Sequence, residues 1–96
     1  MAEAGEVQHN EAEGQFELRV NGALALTAYR RQGDTLAFVH TEVPEELEGQ
    51  GIGSVLVKGA LDRVRELGLK ILPLCSFVRH YVETHPETQD LVAHTE

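Results

Sequence analysis

The apolar residues of this chain change their spacing once, and that change constrains the fold more than any other feature. From Phe16 to Glu42 they recur at every second position, and from Gly51 to Leu67 at every third or fourth. Successive residues of a strand point to opposite faces, whereas a helix returns to one face about every 3.6 residues. A sheet-forming half therefore comes first and a helix-forming half second. Pro44 and a cluster of glycines mark the junction.

In the first half, Phe16, Leu18 and Val20 alternate with Gln15, Glu17 and Arg19. Asn21-Gly22 follows, a two-residue hairpin signal because both central positions favour positive φ. Ala23–Arg31 is the return strand, with Leu24, Leu26 and Ala28 on one face and Ala25, Thr27 and Tyr29 on the other. Gln32-Gly33-Asp34 makes a second tight turn. Thr35–Glu42 then sets Leu36, Phe38, His40 and Glu42 on one face against Ala37, Val39 and Thr41. The result is an antiparallel meander. Val7 and His9 suggest a short strand ahead of it, joined through the polar turn Asn10–Gly14.

In the second half, Ile52, Val55, Leu56, Ala60, Val64 and Leu67 fall on helical spacing, with Asp62, Arg63, Arg65 and Glu66 as the polar face. Gly68 stands where a helix end favours a left-handed residue. Leu69–Leu74 is a short apolar strand containing Pro73. A strand, a helix and a second strand make a β-α-β unit, so Leu69–Leu72 is expected parallel to Thr35–Glu42. Ser76–Thr84 reads as a second helix with Phe77, Val78, Tyr81 and Val82 facing inward, stopped by His85-Pro86. Pro86–Val92 reads as a short third. The expected fold class is α/β (α+β): an antiparallel β-meander followed by β-α-β, with a mixed sheet and two to three helices. Residues 15–96 form one small domain behind an acidic segment over 1–14.

Charge and cysteine content narrow the functions. Residues 1–48 carry ten acidic and three basic side chains, net −7, and residues 49–96 carry six and five, net −1. An acidic surface repels nucleic-acid phosphates, so no nucleic-acid partner is expected. A cationic acceptor such as an amine would be drawn to the first half, although acidic surfaces also simply keep small proteins soluble. A single cysteine, Cys75, excludes an internal disulfide and a Cys-rich zinc site. His80 and His85 are five apart and off one helical face, so no metal is expected. No apolar run approaches the roughly 20 residues of a membrane span, and the acidic N-terminus does not read as a secretory signal. A cytoplasmic protein, monomeric or weakly dimeric, is the expectation.

Glu48-Gly49-Gln50-Gly51-Ile52-Gly53-Ser54 joins the strand half to the long helix. Alternate glycines allow a ligand close to the backbone. The helix that follows offers unpaired N–H groups and the positive end of its dipole, which together suit phosphate oxygens. No Gly-Lys-Ser/Thr is present, and G-x-G-x-x-G fails at Ser54 counted from Gly49 and at Leu56 counted from Gly51. By itself this cluster reads first as a glycine-rich turn without a ligand.

The order of elements around it resembles the core of the Gcn5-related N-acetyltransferases, whose pyrophosphate loop reads Arg/Gln-x-x-Gly-x-Gly/Ala. Gly51 and Gly53 match its glycines, Ile52 stands between them, and Glu48 departs from the usual Arg or Gln. The resemblance is closer to the short stand-alone acetyltransferase-like members. It is carried by His40-Thr41-Glu42-Val43-Pro44, Gly49–Gly53, Pro73-Leu74-Cys75-Ser76-Phe77-Val78, Tyr81 and His85-Pro86-Glu87, and spans Phe16 to Leu91. It implies acetyl-coenzyme A as cofactor, held by Val43, Gly49, Gln50, Gly51, Ile52, Gly53 and Ser54, with Glu42 and Val43 along the pantetheine arm.

Acetyl transfer needs a nucleophile, a base and donors for the developing oxyanion. The Val43 N–H is an oxyanion donor by position. Cys75 opens the second helix, where thiol pKa values fall. It is either a nucleophile, which the resemblance implies could carry acetyl, or an inert small hydrophobe. His40 and Glu42 are candidate bases, against structural roles for both. Tyr81 is a candidate acid toward the coenzyme A thiolate, against a core-packing role. Lys58 and Arg79 are candidate phosphate contacts. Three functions follow: an acetyl-coenzyme A-dependent N-acetyltransferase acting on an amine directly or through Cys75, a coenzyme A-binding sensor or interaction module without turnover, and a thiol redox protein.

Overall fold

The computed structural model describes residues 6–93. Five strands form one sheet in chain order: β1 (Gln8–Asn10), β2 (Gln15–Val20), β3 (Ala23–Gln32), β4 (Thr35–Glu42) and β5 (Lys70–Pro73). The first three pairings are antiparallel and β4–β5 is parallel. The helix α1 (Ile52–Glu66) makes the crossover, and α2 (Ser76–Thr84) follows β5. Glu45–Leu47 and Pro86–Leu91 are 3-10 helices. This is the meander followed by β-α-β that the change of period predicts. Residues 1–5 of the acidic segment and 94–96 at the other end lie outside the described residues. What is described of the acidic segment joins the fold: β1 extends the sheet, and Val7 lies so close over Gly59 of α1 that a Cβ there would strike its side chain.

The predicted stops are observed. Asn21 and Gly22 both take positive φ, 51° and 81°, as the β2–β3 hairpin requires. Gly68, at φ 71°, ends α1: its amide bonds the Arg65 carbonyl at 3.1 Å and the Leu69 amide bonds the Val64 carbonyl at 3.1 Å. Those two bonds satisfy carbonyls that a helix end leaves open. After α2, Arg65 grips Asp90 with two bonds of 2.6 and 3.0 Å and fixes the last 3-10 turn.

The core lies on one face of the sheet. Phe16, Leu18, Val20, Leu36, Phe38 and Ile71 meet Leu56, Val57, Ala60, Leu61 and Val64 of α1 and Val78, Tyr81 and Val82 of α2. Val57 and Leu61 belong to the buried arc of α1, whereas Val55 points away from its centre and Leu67 lies at the helix end, so both are exposed. Phe77 is also exposed, at 40%, where an inward position was expected. It leaves the core to lie against Gly53.

A bulge corrects the expected faces of β4. The β3–β4 register passes from Tyr29↔Phe38 to Ala28↔His40, which leaves Val39 as an extra residue. A bulge reverses the alternation beyond it. Thr41, paired with Thr27, therefore shares the inner face with Phe38 and Leu36. His40 and Glu42 turn to the outer face and are exposed.

Candidate active site

β4 and β5 pair only as far as Phe38 and Pro73. There the Phe38 carbonyl accepts from both the Leu74 amide at 3.1 Å and the Cys75 amide at 2.8 Å, and the chain turns into α2. Pro73 has no N–H with which to extend a ladder. Among the described residues, Val39–Glu42 has no strand partner on this side, and the sheet opens into a wedge.

The glycine loop faces that wedge. Gly49 and Gly51 hold φ of 82° and 74°, a region that costs an ordinary residue about 1–2 kcal/mol. A Cβ at either would meet nothing within 4 Å, so backbone conformation rather than crowding calls for glycine. Gly51 begins α1 without a side-chain cap, and the Val55 amide makes the bond to its carbonyl at 3.2 Å. The amides of Ile52, Gly53 and Ser54 come before that bond and are the donors a helix start leaves open. Gly53 answers a different need, because a Cβ there would run into the Phe77 ring.

Wedge and loop form one cavity of about 620 Å³, a size usual for small-molecule sites. Its wall includes Glu42, Val43, Gly49, Gly51, Ile52, Gly53 and Ser54 from the predicted site, together with Thr41, Glu48 and Phe77. Gln50 is not in the wall: its side-chain amide donates to the Glu46 carbonyl at 3.1 Å. Glu48, the departure in the loop, is an exposed carboxylate in the wall.

The other predicted residues are distributed around the cavity rather than inside it. His40 Nε2 lies 2.7 Å from Glu42 Oε2, an exposed pair in which Glu42 alone reaches the wall. Cys75 is half-buried behind the point where the strands part. Burial raises its thiol pKa, but the Thr41 hydroxyl and the amides of Val78, Phe77 and Thr41 outweigh burial, and the net shift is downward. Tyr81 is buried and stacks on His85 at 3.8 Å; burial raises its pKa. It borders a groove of about 330 Å³ that shares Ser54 and Phe77 with the main cavity, and a second cleft beside Lys58 and Arg65. Lys58 is paired with Asp62 at 2.9 Å, and Arg79 is exposed on α2. No three potential metal ligands cluster among the described residues.

Thr41, like Phe77, is a wall residue that sequence reasoning misses. Its Oγ1 is 2.9 Å from Thr27 Oγ1 and 3.4 Å from Cys75 Sγ. The available signal was Thr27, a hydroxyl at an inward strand position that needs a partner.

A mixed sheet that opens beside a glycine-started helix defines an acetyltransferase-type α/β fold. Comparison with known proteins agrees. The family model described as GCN5-related N-acetyl-transferase matches residues 15–91, and the chain belongs to that family. It is 38% identical over 88 residues to Protein NATD1 of Xenopus tropicalis, covering 88% of this chain and 81% of that protein. For Protein NATD1 of Homo sapiens the identity is 38% over 88 residues, with 88% and 78% covered. An NMR solution structure of a GCN5-like protein from Staphylococcus aureus is similar with a TM-score of 0.71 and 35% identity, covering 95% of this chain and 90% of that one.

Proposed function

We propose that this chain is an acetyl-coenzyme A-dependent N-acetyltransferase whose acceptor is a cationic amine, reached directly or through Cys75. The observation that carries the reading is the continuity of the unpaired β4 edge with the open amides at the start of α1. When bound, acetyl-coenzyme A supplies an acetyl group activated as a thioester.

The chain's own groups fit that cofactor. The uncapped amides of Ile52, Gly53 and Ser54, at the positive end of α1, suit a pyrophosphate. Val39–Val43 offers main-chain groups to an amide-containing arm, and the Val43 amide is the candidate oxyanion donor. Glu42 stands in the wall as the candidate proton acceptor for an amine. Glu42 and Glu48 stand in the wall, with Glu45 and Glu46 between them in sequence, a local negative charge that favours a positively charged acceptor. Cys75 Sγ, held near helix-start amides, is the group able to carry acetyl on a two-step route.

One observation favours a second reading, a coenzyme A-binding sensor or interaction module without turnover. Cys75, His40 and Tyr81 all stand outside the wall of the main cavity. Calorimetric binding of acetyl-coenzyme A, run beside an assay for released coenzyme A thiol with polyamines and lysine peptides, separates the two. Binding with amine-dependent release is expected. Binding without release for every amine would favour the sensor, and no binding at millimolar concentration would sink both.

A further inference from the structure

We infer that Thr27 and Thr41 are positioning residues, a two-hydroxyl chain that offers a hydrogen bond to the Cys75 thiolate where β4 and β5 part. Its purpose rests on the acyl-transfer reading above; its chemistry does not.

Thr27 is 0% exposed, and Thr41 Oγ1, at 2.9 Å, is its hydroxyl's partner among the described residues. A buried O–H left without an acceptor is costly, so the Thr27 proton goes to Thr41 Oγ1. Thr41 Oγ1 also lies 3.4 Å from Cys75 Sγ: the neutral thiol donates to it, and once the thiol ionises the Thr41 proton can turn to the sulfur. The opposite direction, thiol to Thr41 and Thr41 to Thr27, strands the Thr27 proton inside the core. The Thr27 end is therefore fixed as a donor, which leaves the Thr41 proton free to swing to a Cys75 thiolate.

A thiol is a weak acceptor and a thiolate a strong one. The groups acting on Sγ are uncharged donors: the Thr41 hydroxyl and the amides of Val78, Phe77 and Thr41. Two of those amides belong to the first turn of α2, which Cys75 precedes as its N-cap residue. Charged side chains are not among the groups acting on it. The bulge at Val39 makes the contact possible, because unbroken alternation would turn Thr41 outward. Thr41 also belongs to the cavity wall, so the chain reaches the edge of the candidate site.

The test needs no cofactor. Follow the Cys75 ¹³Cβ shift and the iodoacetamide rate against pH in the parent chain and three variants. The parent thiol is expected to titrate below the ordinary value of about 8.5. Thr41→Val, which keeps the volume and removes the hydroxyl, should raise the midpoint by about one unit and slow alkylation at pH 7 about tenfold. Thr41→Ser should stay within about threefold of the parent, since a hydroxyl remains. Thr27→Val should move the midpoint the same way by less, because it acts through Thr41. A folded Thr41→Val with an unchanged midpoint overturns the inference, and so does a parent midpoint at or above about 8.5. Where Thr41→Val does not fold, the Thr27→Val midpoint decides: an upward shift supports the chain and an unchanged midpoint overturns it. Failure to bind acetyl-coenzyme A, measured separately, would remove the acyl-transfer reading without moving these midpoints.

Discussion

Thr35–Phe38 and Val39–Glu42 are successive halves of one strand, β4, in opposite surroundings. The first half pairs with β3 on one side and β5 on the other, and buries Leu36, Ala37 and Phe38. The second half keeps β3 alone and exposes Val39, His40 and Glu42. Two local events separate them: one extra residue at Val39 and one proline at Pro73. Where the ladder is complete, side-chain burial supplies stability. Where it stops, main-chain groups and Thr41 face an open cavity. In this fold a binding surface arises from hydrogen bonds withheld at a chosen point along a strand.

The largest expected effect tests the closed half. Phe38→Ala removes a fully buried ring and should cost about 3–5 kcal/mol in urea unfolding. Val39→Ala, one residue on, should stay within about 0.5 kcal/mol. Comparable losses at the two positions would erase the distinction between the halves.

Next comes the open side. Gly53→Ala drives a Cβ into the far end of the half-exposed Phe77 ring, which must swing aside, and should cost about 1 kcal/mol or less. In a double-mutant cycle with Phe77→Ala, the Gly53→Ala loss should disappear, because removing the ring relieves the clash. Additive losses would mean that Gly53 is required for another reason.

A smaller effect follows pH on β1, on the side of the sheet where the ladder is complete. His9 stacks on Phe16 at 4.2 Å, its Nε2 lies 2.6 Å from the Tyr29 hydroxyl, and its buried Nδ1 has no partner among the described residues. Burial, helped by Arg63 and Arg31 and opposed by Glu11, lowers its pKa. The unfolded chain therefore takes up this proton more readily. His9 contributes stability that is present above its unfolded value of about 6.5 and lost as pH falls through the lower folded value. Thermal melts from pH 7 down to 5 should show the loss, and His9→Phe should flatten the slope. Smallest of all, Glu42→Gln and His40→Ala break an exposed pair and should change stability by less than about 1 kcal/mol.

Much of this was legible in the sequence, because periodicity and turn chemistry are local. The hairpin at Asn21-Gly22, the crossover helix, its stop at Gly68 and the glycine loop could be placed from residue types alone. The bulge could not. Leu36, Phe38 and His40 look like unbroken alternation, and one extra residue sends Thr41 inward and His40 outward. The reason lies in another strand: Thr27 is buried and needs a hydroxyl opposite it. Phe77 misleads in the same way. Its spacing from Tyr81 suits an inward face, yet the space it occupies exists because residue 53 has no side chain. Such contacts depend on long-range register, which neither period nor propensity encodes.

The most direct test of the central claim is a backbone amide NMR titration with acetyl-coenzyme A. The largest shifts should fall on Gly49–Ser54 and Thr41–Val43, the loop and the unpaired half of β4, with Thr35–Phe38 nearly still. A spectrum unmoved at millimolar cofactor, or shifts confined to the Arg65–Asp90 cleft, would contradict the account.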